Sequence, residues 1–243
     1  MNVKYKKNDI KNIYFSSLSI AGLIILAILV FYTPSSKIIY PHQNLLILSI
    51  FVFICILGMM AAISPVKCSE LSSFKKNSYS NPKQNFDEDL PSNIFKGHHP
   101  DCNSFKTDTY SFRGKKYCAG CSGLFLGALI AIVGTSIYYL YGINDENTGR
   151  IIFLIGFLTV LVSLLQNFLL KLNINLSRFF FNFILVIGSV LIMIGISELQ
   201  SSLFIQSYFL VLVFIWILAR ITSSERNHYK ICNECSMESC IYQ

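Results

Sequence analysis

The chain has 243 residues, of which 53% are hydrophobic and only 14% are charged, and its mean hydropathy is +0.53. This composition excludes an ordinary soluble domain and indicates a polytopic membrane protein. The net charge of +7 would suit nucleic acid, but the basic residues follow the edges of apolar segments and form no separate basic domain, so no nucleic-acid partner is expected.

Six apolar segments are each about 20 residues long, enough for a helix to cross roughly 30 Å of hydrocarbon. The first follows a basic stretch and is longer than the apolar core of a cleaved signal peptide, so we interpret it as a retained span. The sequence therefore predicts an all-α membrane bundle with about six transmembrane helices and the lipid bilayer around it. The predicted spans cover 13–32, 45–64, 122–141, 151–170, 179–197 and 203–221.

The basic residues predict the orientation of these spans. With six spans, all but two of the 20 lysines and arginines fall on one side, and the exceptions are Lys37 and Arg150. Because positive charge is retained in the cytoplasm, both termini are predicted to be cytoplasmic, in a multi-pass protein of the cell (inner) membrane.

The predicted domain organisation follows from the spans and from two polar regions. The long region after the second span begins with a stretch rich in Ser, Asn, Lys and Asp, which is typical of a flexible linker. The predicted parts are the N-terminus 1–12, the first two helices 13–64, the linker 65–94, a Cys/His segment 95–121, four helices over 122–221 and a Cys/His tail 222–243.

Two clusters of cysteine and histidine lie on the predicted cytoplasmic side. They comprise His98, His99, Cys102, Cys118 and Cys121 in the first segment, and His228, Cys232, Cys235 and Cys240 in the tail. A reducing compartment favours metal or redox use of such thiols over disulfides. A Cys-x2-Cys pair can hold one tetrahedral ion from a single turn, and Gly120 gives that turn its freedom. The sequence predicts one or two zinc ions in a small cytoplasmic module, with one histidine to spare or with one ion shared between the segments.

Other uses of the thiols remain open. The metal could keep an open catalytic position, or the cysteines could hold an iron–sulfur centre. Alternatively, Cys118 and Cys121 could exchange electrons with a quinone, because they open the third span and a helix N-terminus stabilises a thiolate. The two remaining cysteines, Cys55 and Cys68, are expected to be packing residues. No phosphate-binding loop, Gly-x-Ser-x-Gly or His-Glu-x-x-His motif is present, so the sequence leaves open whether the protein is an enzyme.

The stretch from Cys118 to Gly127 resembles the signature of the predicted prokaryotic membrane proteins known as domain of unknown function 2085. In that family a His/Cys element precedes a Cys-x-Arg-Cys-Thr/Ser-Gly motif at the head of a transmembrane helix, with a further glycine four residues on. Cys118, Cys121, Gly123 and Gly127 match the motif, His98, His99 and Cys102 stand where the upstream element would be, and Gly120 replaces the arginine. The resemblance implies a membrane Cys/His site and no known activity.

Residues within the spans predict how the helices pack. Small residues recur every four positions at Gly123, Gly127 and Ala131, which indicates close contact with a neighbouring helix. Neutral polar residues are expected to form hydrogen bonds between helices, and they are Thr159, Ser163, Gln166, Asn167, Asn182 and Gln206. Arg220, at the end of the sixth span, is expected to extend to the lipid headgroups. No span contains a mid-membrane charge of the kind that marks proton relays and ion-coupled transport, and this absence disfavours a transporter.

These observations favour a non-enzymatic membrane protein whose zinc-bound face organises the bundle or docks a cytoplasmic protein partner. The alternative is a membrane thiol or metal-dependent oxidoreductase that uses the Cys118/Cys121 pair.

Overall fold

A computed structural model of the chain describes residues 3–33, 43–63, 109–113, 115–142, 145–169, 177–199 and 202–234. They form six long helices and one two-stranded hairpin, namely α1 (Val3–Tyr32), α2 (Gln43–Ile63), β1 (Thr109–Phe112), β2 (Lys115–Cys118), α3 (Ala119–Tyr141), α4 (Glu146–Leu169), α5 (Ser177–Leu199) and α6 (Leu203–Glu234). The predicted linker 65–94 lies outside the described residues, as do Cys68, His98, His99, Cys102, Cys235 and Cys240.

Each of the six described helices contains a segment long and apolar enough to cross a membrane. Large apolar side chains face outward along these segments, as at Ile24, Leu57, Val133, Leu158 and Phe214. In a bilayer such side chains contact lipid rather than water. The chain is therefore a multi-pass helical membrane protein in contact with the bilayer, as its hydropathy predicts.

The first and last helices in the sequence, α1 and α6, extend beyond the predicted spans. The apolar segments were predicted at 13–32 and 203–221, whereas α1 begins at Val3 and α6 ends at Glu234. Hydropathy marks the apolar part of a helix, but a helix continues until a residue breaks it, and neither extension contains glycine or proline. The first part of the predicted tail is therefore helical.

Side-chain contacts show how the helices alternate. Asp9, near the start of α1, forms a salt bridge of 2.5 Å with Arg226, near the end of α6. Asn182, near the start of α5, donates a hydrogen bond to the Gly120 carbonyl at the start of α3. We call this end of the bundle, which also contains Cys118, the cysteine end.

At the opposite end, the Tyr138 hydroxyl of α3 donates to Glu198 of α5 over 2.8 Å. The Gln43 amide of α2 donates to Gln206 of α6 over 3.0 Å. A hydrogen bond also joins the last part of α6 to the start of α5, so the start of α1 and the end of α6 lie on the same side of the bundle as Cys118. That this side is cytoplasmic stays a prediction from the charge distribution.

The centre of the bundle is aromatic. Trp216 and Phe209 of α6 and Phe51 of α2 are almost fully buried. The Phe209 ring stacks on Phe51 and meets Trp216 edge to face, with ring centres 6.1 Å apart in both pairs. Cys55 belongs to the same buried core, which confirms its predicted packing role.

Close contact between α3 and α5 depends on the predicted stripe of small residues. A Cβ atom at Gly123 would lie 2.1 Å from the carbonyl oxygen of Phe179. A Cβ atom at Gly127 would lie 3.1 Å from the Cβ atom of Val186, and Ala131 is fully buried. The prediction is confirmed, and the contact holds the first turns of α3 against α5.

Helix α4 begins at Glu146, before the predicted start at 151, because Asp145 caps it. One carboxylate oxygen of Asp145 accepts the Thr148 hydroxyl over 2.5 Å and the Thr148 backbone N–H over 3.0 Å. These hydrogen bonds to the charged form hold the pKa of Asp145 below its ordinary value.

Candidate thiol site at the cysteine end

A β-hairpin leads the chain into α3. Strands β1 and β2 pair antiparallel, with Thr109 opposite Cys118 and Phe112 opposite Lys115. Two residues connect them, and Arg113 has a positive φ of 51°, as two-residue hairpin turns require. The helices confirm the predicted all-α class, but the hairpin was not predicted. Its signal is present in the sequence, where β-forming residues flank an Arg-Gly pair.

Cys118 and Cys121 lie across the junction between β2 and α3. Cys118 is the N-cap residue of α3, with an extended backbone at φ −74° and ψ 124°, and only 1% of its surface is exposed. Cys121 lies in the first helical turn and is half-buried. The prediction that this pair opens the third span is confirmed, and the partial positive charge of the helix N-terminus favours negatively charged groups there.

The hairpin is fastened to the first turn of α3. The Tyr110 hydroxyl donates to the Ser122 hydroxyl oxygen, which in turn donates to the Cys118 carbonyl, each over 2.9 Å. The Tyr110 and Tyr117 rings stack with centres 5.8 Å apart across the strands. The backbone of Cys118 is therefore held by both the strand pairing and this hydroxyl chain.

Helix α5 holds the same turn from the other side. The side-chain nitrogen of Asn182 donates to the Gly120 carbonyl over 3.0 Å. A Cβ atom at Gly120 would lie 3.1 Å from that nitrogen and 3.9 Å from the sulfur of Cys118. The amide nitrogen and the sulfur therefore both lie within 4 Å of the position that a side chain at residue 120 would occupy. The sequence marked Asn182 as a polar residue in a span but did not connect it with the cysteines.

Arg220 lies among three helices at this end. Its Nη2 donates to the Ser163 hydroxyl over 2.6 Å and to the Phe181 carbonyl over 3.1 Å, and its Nη1 donates to Gln166 over 3.3 Å. The predicted orientation toward the headgroups is wrong, because acceptors on α4 and α5 lie within reach of the guanidinium inside the bundle. Phe181 directly precedes Asn182 in α5. Arg220 and the cysteine turn are therefore bonded to neighbouring residues of the same helix.

The other predicted polar contacts are confirmed with one exception. Ser163, Gln166, Asn182 and Gln206 all form hydrogen bonds between helices. The Thr159 hydroxyl instead donates to the Ile155 carbonyl of its own helix over 2.6 Å. The Asn167 side chain lies outside the described part of the chain.

The predicted metal ligands are only partly described. His228 and Cys232 lie about one turn apart in α6, and their side chains are outside the described set. Among the residues that the structure describes, no three His, Cys, Asp or Glu side chains form a group that could hold a metal ion. Two thiols three residues apart at a helix N-terminus nevertheless have the chemistry of half a tetrahedral zinc site.

Comparisons with protein-family models, curated proteins and solved structures found no match to this chain. Its function must therefore be inferred from the site itself.

Proposed function

We propose that this multi-pass membrane protein binds zinc at its cysteine end through Cys118 and Cys121. Cys102 and either His98 or His99 complete the four ligands. The ion holds the polar segment in one fold on the cytoplasmic face, where it stabilises the bundle or docks a protein partner. A metal suits this segment because about 30 residues are too few to form a hydrophobic core of their own.

The hairpin register carries this proposal. Thr109 pairs with Cys118, so Cys102 is seven residues upstream of a residue that lies beside the Cys-x2-Cys turn. An extended chain of that length reaches at most roughly 25 Å, and the backbone can fold back within it. The long sequence separation between Cys102 and Cys118 is therefore no obstacle to a shared ion.

The tail cluster favours a second, separate ion. Helix α6 is continuous from Arg220 through His228, a rise of about 12 Å along its axis. Arg220 donates to the Phe181 carbonyl of α5, and the next residue of α5, Asn182, donates to the cysteine turn. The backbone of α6 at His228 and Cys232 is therefore farther along the helix than the cysteine turn. Cys235 and Cys240 follow in the sequence and would be the remaining ligands of the second ion.

Elemental analysis of the detergent-purified full chain tests the proposal. We expect about one or two zinc ions per chain, with the clustered thiols becoming titratable only after chelation or unfolding. Cys121→Ser should lose zinc and lower the melting temperature. Cys55→Ser is the matched control, because it changes a buried core thiol away from the site, and it should keep the full zinc content. Zinc-free wild-type protein, or a Cys121→Ser protein that retains all its zinc, would contradict the proposal.

The position of Cys118 and Cys121 at the head of α3 supports a second candidate, a membrane thiol oxidoreductase. The two thiols would form a disulfide and pass two electrons and two protons to a quinone, which becomes a quinol. In that case Cys121→Ser would abolish dithiol titration in a protein that keeps its wild-type melting temperature and contains no zinc. The same preparations therefore separate the two candidates.

A further inference from the structure

We propose that Asn182 is the positioning residue of the thiol pair, acting through its hydrogen bond to the Gly120 carbonyl in the first turn of α3. This inference rests on the proposed zinc site and assigns it a supporting residue from a different helix. The ligand that it serves is a thiolate-bound divalent cation.

The contact between Asn182 and Gly120 depends on the identity of both residues. The Asn182 nitrogen reaches the Gly120 carbonyl over 3.0 Å because position 120 has no side chain. Any Cβ atom there would press on the amide at 3.1 Å and would lie 3.9 Å from the Cys118 sulfur. The amide and the sulfur thus both limit the space beside residue 120, and one amide proton of Asn182 is used by the carbonyl.

Asn182 is itself held in place by its neighbours on α5. The Phe181 carbonyl accepts hydrogen bonds from both Ser163 and Arg220. Three residues before Asn182, the backbone of Phe179 packs directly on Gly123. The amide is therefore attached to a backbone fixed by α3, α4 and α6, as a side chain that orients a metal ligand must be.

The consequence is a site whose first helical turn is set before the metal binds. A partner outside the ligand set that holds the turn carrying a metal ligand fixes the orientation of that ligand. Loss of such a supporting partner typically lowers metal affinity by about 10–100-fold. Asn182→Leu has nearly the same shape as the native residue and removes only the amide, so we expect a decrease of that size.

Zinc affinity is measured on the full chain in detergent by competition with a chromophoric chelator. The absorption bands of the Co²⁺-loaded protein report the thiolate geometry, and Asn182→Leu should shift them. Gly120→Ala is a second variant that keeps the amide but displaces it, and it should change affinity and spectrum in the same direction. If Asn182→Leu fails to fold, Gly120→Ala carries the test alone.

Gln206→Leu is the matched control, because Gln206 is also a buried interhelical amide but lies at the opposite end of the bundle. It should lower the melting temperature and leave zinc affinity and the cobalt spectrum unchanged. Wild-type values in Asn182→Leu, or an equal loss in Gln206→Leu, would overturn the inference.

A readout without metal keeps this inference separate from the proposed function. In zinc-free protein, Asn182→Leu should make the buried Cys118 thiol react several-fold faster with a small alkylating reagent, while Cys55 stays protected. Failure of wild-type protein to bind zinc or cobalt would refute the proposed function only. Unchanged alkylation of Cys118 would refute the positioning role.

Discussion

Single polar side chains decide which helices meet at the cysteine end. Arg220 reaches acceptors on α4 and α5 with the two terminal nitrogens of its guanidinium, and these acceptors, within the described part of the chain, are uncharged. Its Nε is buried and has no hydrogen-bond partner among the described residues. Because the acceptors are spread over two helices, the planar guanidinium of arginine can reach all of them, whereas the single ammonium group of lysine cannot.

We expect Arg220→Lys to destabilise the protein although the charge is kept. A lysine ammonium cannot bond Ser163, Gln166 and the Phe181 carbonyl together, so the loss should be about 2 kcal/mol. For a chain of this size that corresponds to a melting temperature about 4–8 °C lower in detergent. Arg150→Gln is the control, since it removes an exposed pair with Glu146 and should shift melting by less than about 2 °C. An Arg220→Lys protein as stable as wild type would show that only the charge matters.

At the scale of elements, the contact between α3 and α5 positions the thiols. It depends on backbone approach at Gly123 and Gly127, directly after the Cys-x2-Cys turn. Lipid tails are as apolar as leucine, so hydrophobicity gives little preference for one helix face over another, and close packing decides the pairing. The first turn of α3 therefore keeps its place only while α5 can approach it.

Two alanine substitutions in α3 test this packing. Gly123→Ala should lower the melting temperature clearly, because its Cβ atom would overlap the Phe179 carbonyl. Gly134→Ala should leave stability unchanged or raise it by roughly 0.5–1 kcal/mol, because nothing lies within 4 Å of the added atom and alanine favours helix. Thermal melting of both variants gives the comparison. Equal effects of the two would mean that α3 and α5 do not pack as described.

At the scale of the whole molecule, the six described helices alternate so that the start of α1 and the end of α6 lie on the side of Cys118. The Asp9–Arg226 salt bridge joins the extensions of α1 and α6 on that side. Nearly all the basic residues belong to the segments predicted there, which predicts that this side faces the cytoplasm.

Reporter fusions test that orientation. Green fluorescent protein fused before α1 or after residue 243 should fluoresce, because it folds only in the cytoplasm. Alkaline phosphatase inserted after Gly142, between α3 and α4, should be active, because that turn belongs to the opposite side. An active phosphatase at the C-terminus would invert the assignment and would place the cysteine clusters in an oxidising compartment, where disulfides would replace zinc as the leading expectation.

The sequence by itself determined the membrane class, the six apolar segments and the place of Cys118 and Cys121 at the head of the third span. These properties depend on local composition and spacing, since a run of about 20 apolar residues spans a bilayer whatever its neighbours are. The small-residue stripe at Gly123, Gly127 and Ala131 was also predictable from the sequence, because it depends only on spacing within one helix.

Only the tertiary structure decided which partners the polar groups choose. Arg220 turned inward and Thr159 bonded its own helix, because the available acceptors depend on helices distant in sequence. The hairpin before α3 and the contact of Asn182 with Gly120 likewise depend on how separate elements meet. In a membrane, hydropathy is satisfied by lipid and protein alike, so the choice of neighbour rests on close packing and hydrogen bonds that exist only in the folded chain.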